Sequence, residues 1–528
     1  MRVRRGVIAG KGRMAVKRRL RSGMLAMAVL AMGGGMAASV PAVAQQDIAT
    51  EAGQAFRKRQ FAKALKLYEK LAEQGDVSAQ FNLGLMYEFG YGVPADDITA
   101  ARWYRRAADA GSPQAMFNLA NMLVQGRGVE QNFAEAAALY KRAAHLDIPE
   151  AANNLGNMYL EGIGVDQDDA EAVYWYRLAA EKEHIQAENN LGLMYELGRG
   201  VRQDYKEAAR WYRKSAEAGF AEAQFNLGNL YLNGHGVPQD DREAFRWYEL
   251  AAKQGLADAQ NNLGVLYEEG RGVKPDPAAA IVWYRKAAEQ GHVNGMYNLA
   301  LALERYGTTD EEDAEMASWY RRAAEKGHRD AQNNLGLLYE KGRGVPRDYK
   351  QARLWYQRAA DQGLTAAMVN LGSLYMEGRG VPKDRARALM LYKRAAEAGN
   401  RDAQFLLGTV YAYGLAGVKD EALALTWFNK AARQGHVTAQ FQLGTRYRDG
   451  IGVLADRPLA LTWLRLAEEG GHPLAGEARA ALEKKMTAAE RREAERLYAQ
   501  IAPGIAEVKA RAPRRQRLRT GPIMYRDR

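Results

Sequence analysis

The sequence predicts an all-helical fold, a right-handed αα superhelical solenoid of about twelve stacked helical hairpins. Three observations carry that reading. A small residue recurs every 36 positions along most of the 528-residue chain, all nine tryptophans keep the same register, and a glycine turn followed by an aspartate recurs within each period. Self-similarity at a fixed period marks stacked structural repeats. A catalytic globule has no reason to put every tryptophan in one phase.

Composition sets the outer limits. With 47% hydrophobic and 26% charged residues, the chain can fill a core and is not disordered. No run of about 20 apolar residues lies beyond the first 45, which excludes a helical channel. The absence of cysteine excludes disulfides, thiolate metal sites, cysteine nucleophiles and a lipidated N-terminal cysteine. The formal charge of +12 sits at the ends: residues 1–44 hold nine Lys or Arg and no acid, and residues 509–528 carry a net +7. That leaves −4 for residues 45–508, so the basic total does not imply a nucleic-acid-binding fold.

Taken in order, residues 1–44 read as a signal peptide. A basic stretch precedes the apolar run 24–40, and Ala42 and Ala44 form an A-x-A pattern. Cleavage is expected after Ala44, with Gln45 first in a periplasmic or secreted mature chain that keeps no membrane span.

The repeat follows. Residues 331–363 read AQNNLGLLYEKGRGVPRDYKQARLWYQRAADQG. In helix A of this hairpin, Ala331, Leu335 and Tyr339 are spaced four apart on one face. Glycines then break the helix. Helix B starts at Asp348, which can cap the free amides of its first turn, and carries Ala352, Trp355, Tyr356 and Ala359 inward. The equivalent aspartate recurs at Asp96, Asp168, Asp204, Asp240, Asp276, Asp384, Asp420 and Asp456. Mid-helix glycine falls at Gly84, Gly156, Gly192, Gly228, Gly264, Gly336, Gly372, Gly408 and Gly444, with Ala120 and Ala300 in the two other places. Glycine inside a helix costs about 0.8–1.0 kcal/mol against alanine, so close approach of another element is expected there. The tryptophans, Trp103, Trp175, Trp211, Trp247, Trp283, Trp319, Trp355, Trp427 and Trp463, are expected opposite, filling the wedge between hairpins.

With Leu-Gly-x-x-Tyr, Gly-x-Gly-Val, the capping Asp and Trp-Tyr-x-x-Ala-Ala in place, the chain resembles the Sel-1-like repeat family, the 36-residue relative of the tetratricopeptide repeat. The resemblance covers eleven repeats over 76–471. Residues 45–75 look like a shorter, tetratricopeptide-like hairpin. Two repeats depart: 292–327 has ERYGTTDEED in place of Gly-x-Gly-Val, and 400–435 has the longer GLAGV. Residues 472–503 read as a C-terminal cap, with a T-x-x-E box at Thr487 and Glu490, an apolar stripe of Ala494, Leu497, Tyr498 and Ile501, and a stop at Pro503-Gly504. Residues 504–528 read as a flexible basic tail.

Candidate chemistry is sparse. His184, His292, His328, His436 and His472 share the phase that ends helix B and read as turn or cap residues rather than metal ligands, since equivalent positions lie about 10 Å apart. The Gly-x-Gly loops lack the third glycine and the preceding strand of a phosphate site. The pairs Asp96-Asp97, Asp168-Asp169 and Asp240-Asp241 read as helix caps. No G-x-S-x-G or S-x-x-K occurs. Neither a cofactor nor a metal is expected.

One row stands out as a binding candidate. Asn82, Asn118, Asn154, Asn190, Asn226, Asn262, Asn298, Asn334 and Asn370 precede the leucine of helix A. By analogy with the tetratricopeptide fold, that position faces the concave groove. The carboxamides could grip an extended peptide backbone, or they could tie helix A to the neighbouring repeat. The resemblance implies a non-catalytic protein-binding scaffold acting in envelope assembly, polysaccharide secretion, sensor regulation or host-protein binding. The alternatives are a peptidoglycan or exopolysaccharide binder, and a beta-lactamase-like hydrolase of the kind proposed for cysteine-rich relatives. The basic tail is a further candidate for contact with the cell wall or an anionic surface.

Overall fold

The computed structural model describes residues 40–417 and 419–510, without the side chains of 40–45 and 509–510. The expectations for residues 1–39 and 511–528 lie outside the described residues. The backbone of Ala44 and Gln45 lies within the first helix, Val40–Arg57. The described residues form 26 helices and no strand, and consecutive helices pack as hairpins. Two compact units result. One takes the described residues up to Ala259 with Arg271–Val273; the other takes Gln260–Gly270 with the described residues from Lys274 on. Each is a run of stacked αα hairpins.

Local chemistry explains where the helices start and stop. Helix A at Arg329–Lys341 is capped by His328, whose Nδ1 accepts from the Ala331 amide, and ends at Gly342 in the left-handed region, φ 73°. Helix B at Tyr349–Asp361 begins behind Asp348, whose carboxylate accepts from the Lys350 and Gln351 amides. All nine predicted aspartates serve as such caps.

The core is made by the tyrosine of helix B. A Cβ placed on Gly336 would lie 2.7 Å from the Tyr356 ring, and one on Gly228 would lie 2.8 Å from Tyr248. Gly84, Gly156, Gly192, Gly264 and Gly372 meet Tyr104, Tyr176, Tyr212, Tyr284 and Tyr392 in the same way; Gly408 meets Phe428 and Gly444 meets Leu464. The close approach expected at these glycines is therefore made by the residue after the tryptophan, not by the tryptophan. The tryptophans turn toward preceding hairpins. Trp211 joins a cluster otherwise drawn from residues 81–194, and Trp103 packs against residues 52–86. Six are buried, and Trp103, Trp283 and Trp427 are half-buried. A cation tops several of the rings, Lys286 at 4.0 Å from Trp283 and Arg322 at 4.2 Å from Trp319 among them.

The irregular repeats resolve differently. In 293–328, helix A runs to Tyr306, Gly307 is extended, and a Thr309–Glu312 capping box starts a 16-residue helix B at Asp310. In 401–436, helix B still starts behind Asp420. The C-terminal cap consists of helices Ala475–Glu483 and Ala488–Ala510. Its T-x-x-E box forms, the Glu490 amide donating to Thr487 Oγ1 and the Thr487 amide to Glu490 Oε2. The expected stop at Pro503-Gly504 is corrected. Proline removes one helical hydrogen bond, but Ile505, two residues on, is only 3% exposed and packs with Trp463 and Leu466. That burial carries the helix to Ala510.

Gly228→Ala is expected to destabilise the protein by about 1–3 kcal/mol despite alanine's better helix propensity, because the ring has nowhere to move. Adding Tyr248→Ala should make the glycine substitution neutral or favourable. Denaturant midpoints of the two single variants and the double variant check this; additive losses would contradict it.

Candidate functional site

The polar residues of the repeat were the functional candidates, and most are engaged within or between hairpins. A buried phenol must find an acceptor. Tyr104, Tyr212, Tyr284, Tyr320 and Tyr356 donate to Glu88, Glu196, Glu268, Glu304 and Glu340 near the end of helix A. In the repeats where that position is Val124, Leu160 or Leu232, the acceptor sits three residues earlier: Tyr140, Tyr176 and Tyr248 donate to Asn121, Asn157 and Asn229. With Met376 there, Tyr392 shares its hydrogen bond with Ser373. One site or the other supplies the acceptor, never both. Where helix B carries Phe428 or Leu464, Thr409 and Thr445 turn to their own backbone instead. Burial drives the tyrosine pKa values up, and the facing carboxylate adds to this at Tyr104 and Tyr212. The same burial pushes the Glu196 carboxyl up to about 7, partly offset by the Tyr212 hydrogen bond.

The asparagine row divides. Asn190, Asn226, Asn262 and Asn298 are at most 2% exposed. Asn190, Asn226, Asn298 and Asn370 donate at 3.2, 3.0, 2.8 and 2.9 Å to Asn153, Asn189, Asn261 and Asn333 of the preceding repeat. Asn118 and Asn334 act on the hydroxyls of Tyr104 and Tyr320, partly offsetting the rise in their pKa. The open-groove placement is thus corrected for the four buried members: neighbouring helices close over that position. Asn82, Asn118, Asn154, Asn334 and Asn370 stay half-buried.

Two further systems escaped the sequence reading. Gln254, Gln290, Gln362 and Gln434, at the ends of B helices, donate to Gln224, Gln260, Gln332 and Gln404 in the first turn of helix A of the same hairpin at 2.7–2.8 Å. In the turns, the residue between the two glycines reaches back to the preceding helix B. Arg127, Arg199, Arg271 and Arg343 pair with Asp97, Asp169, Asp241 and Asp313. Of each aspartate pair, then, the first caps its own helix and the second holds the next repeat's arginine. The second turn glycine docks at the same place; a Cβ on Gly344 would lie 2.1 Å from the Asp313 carbonyl oxygen. Matched residue types 30 positions apart are the signal in the sequence.

The histidines are caps. His184, His292, His328 and His436 accept helix A amides through Nδ1, which requires the neutral ring. His328, His436 and His472 also stack on Tyr297, Phe405 and Phe441 of the preceding repeat at 4.0–4.4 Å. Burial lowers the His184 pKa to about 4. Among the described residues, no group of three or more His, Asp or Glu could hold a metal ion, and no helix is long and apolar enough to cross a membrane. A polar cleft between helix B at Arg457–Glu469 and the cap is lined by Arg465, Glu468, Glu469, Arg479, Glu483 and Glu495, whose charges pair with one another.

These geometries have known counterparts. The Sel1 repeat family matches twelve abutting segments, from 42–76 to 437–472. The first takes in the hairpin expected to be a shorter tetratricopeptide-like one, so that hairpin counts as a Sel1 repeat. Among solved structures, c5321 of uropathogenic Escherichia coli, a protective antigen displaying an SLR fold, is 36% identical over 87% of this chain and 99% of its own, with a TM-score of 0.75. A Sel1 repeat protein from Oxalobacter formigenes is 32% identical over 46% of this chain and 96% of its own, with a TM-score of 0.42. No curated protein matches.

Two outcomes are expected. Asn226→Ala should cost about 1–3 kcal/mol, read from the denaturant midpoint, because Asn189 Oδ1 loses a buried donor. The second concerns pH. Glu196 binds its proton more tightly folded than unfolded, so its contribution favours folding most below about pH 4.5 and is lost, by about 3 kcal/mol, as pH rises to 7. His184 acts oppositely, its contribution present above about pH 6.5 and lost as pH falls toward 4. Glu196→Gln should flatten the decline between pH 5 and 7; an unchanged profile in the urea midpoint would refute the assignment.

Proposed function

The chain belongs to the Sel1 repeat family, and from that premise we propose that it is an exported, non-catalytic scaffold of the bacterial envelope that binds a protein partner or an extended peptide. The observation that carries this is the contrast between framework and surface within one chain. Tyrosine, glycine, asparagine and aspartate repeat because they join hairpins. At the last position of helix A, the residue before the first turn glycine, the side chain changes from each repeat to the next. It runs through Phe89, Gln125, Glu161, Leu197, Asn233, Glu269, Tyr306, Lys341, Glu377, Tyr413 and Asp449, all exposed except the half-buried Gln125. A uniform frame with an individually written surface suits recognition by area and shape, in which a few aromatic or apolar anchors dominate. It does not suit a reactive centre, which needs a few converging groups.

Export is supported by the basic, apolar and A-x-A segments ending at Ala44. The similarity to a protective antigen agrees with it. The binding surface proposed is the row of helix A ends with the half-buried asparagines, not the buried asparagines.

Proximity labelling in the native envelope tests the proposal. The recovered chain should begin at Gln45, and a labelled protein partner should be lost from a Leu197→Glu, Tyr413→Glu variant of unchanged helicity. Retention on purified peptidoglycan with no protein partner would replace the reading with that of a wall binder. An uncleaved cytoplasmic chain would refute export.

A further inference from the structure

We propose that the first turn of the described chain, with two aromatics from the next one, docks the protein on an anionic lipid surface. The first helix ends in Phe56-Arg57-Lys58-Arg59-Gln60-Phe61. Arg57, Lys58 and Arg59 are exposed, and none makes an ion pair or side-chain hydrogen bond among the described residues. Six bases and one acid lie between Phe56 and Lys70, a net +5 in a body of −4. Beside the turn stand Phe89 and Tyr91, 44% and 36% exposed. The four rings form one cluster, with centroids 5.1 Å apart for Phe61–Tyr91, 5.3 Å for Phe56–Phe61, 5.5 Å for Phe56–Tyr91 and 5.8 Å for Phe89–Tyr91.

Folding explains only part of this. Phe61–Tyr91 is the apolar counterpart of the aspartate–arginine pairs that join later turns. It does not explain an exposed phenylalanine at position 89, nor three free bases. The φ of Arg59 is 58°, a left-handed conformation that disfavours any side chain. Glycine or asparagine would hold that turn more comfortably, yet a charged residue stands there. Asp147 and Glu183 hold the same conformation in later turns, at φ 62° and 59°, so Arg59 is one of three charged residues placed so.

The chemistry selects the partner. Free bases beside partly exposed aromatics match the headgroup layer of an anionic bilayer, where the bases meet phosphate and the rings enter the interface. A sugar or nucleobase needs an open ring face. Here Phe61–Tyr91 and Phe89–Tyr91 stack at 22° and 29°, so the faces they share are turned to one another. A soluble polyanion would use the bases and ignore Phe89.

Co-sedimentation of the full chain with phosphatidylethanolamine–phosphatidylglycerol vesicles is the test, so the N-terminal segment and basic tail are common to every arm. Two variants are compared with the unmodified chain: Arg57→Gln with Lys58→Gln and Arg59→Gly, and Phe89→Ser. The triple variant should bind about tenfold or more weakly, and Phe89→Ser should lower the binding that survives at about 0.5 M salt. Arg59→Gly relieves the backbone, and circular dichroism should show unchanged helicity in both. Losses in both variants, with binding to soluble polyglutamate unaffected by Phe89→Ser, support the proposal. Unchanged vesicle binding in either variant overturns it, and loss confined to the triple variant assigns the turn to soluble polyanions.

Discussion

A phenol ring packed against a glycine is the contact on which the rest of the structure depends. Helix A comes so close to helix B that its central residue is glycine in nine repeats and alanine, the next smallest, in the two that carry Ala120 and Ala300. The ring is then sealed, and its hydroxyl needs an acceptor inside the hairpin. The chain meets that need from one of two positions on helix A and leaves the other apolar. Glu196 and Leu193 serve Tyr212, whereas Asn229 and Leu232 serve Tyr248. Where no hydroxyl exists, at Phe428, the helix A site that ends such a pair is Ala412. One steric choice thus propagates through four side chains.

Between hairpins a second logic operates. Glutamine pairs tie the two helices of one hairpin; between hairpins the wedge is filled by tryptophan, but polar pairs specify which surface meets which: asparagine to asparagine, turn arginine to aspartate. The last alternates along the early repeats with apolar matches, Phe61 with Tyr91 and Tyr205 with His235. Neighbouring repeats therefore carry complementary rather than identical edges. In a stack whose stability is close to a sum of nearest-neighbour terms, such alternation opposes slipped or swapped pairings. A missing partner leaves a trace. Gln80 and Gln440 lack a following glutamine, Ala110 and Gly470 standing in its place, and both keep a buried amide oxygen without a hydrogen bond.

The two departures from the turn pattern interrupt this joinery. In nine repeats the second turn glycine lies against the preceding helix B; Gly307 is extended and Gly417 meets nothing within 4 Å. The 293–328 repeat substitutes a full capping box and an ion pair from Arg305 to Glu268. Ionisable groups are likewise absorbed into structure. Glu196 is destabilising when charged and His184 when protonated, so they oppose one another across mildly acidic pH.

The sequence by itself determined the period, the helical hairpin, the caps and the family, because these follow from short-range rules: glycine and aspartate at helix ends, apolar residues every three to four positions, and a strict 36-residue recurrence. It also located the capping histidines. It misassigned the partner of the mid-helix glycines, placed buried asparagines in an open groove, and ended the last helix at Pro503. Those points turn on which neighbour covers a given face and on what lies two residues beyond a proline. Tertiary packing alone decided them, since burial at Asn226, Tyr248 or Ile505 is a property of helices that meet through residues 19 or more apart, and a linear pattern does not say which of two adjacent aromatics turns inward.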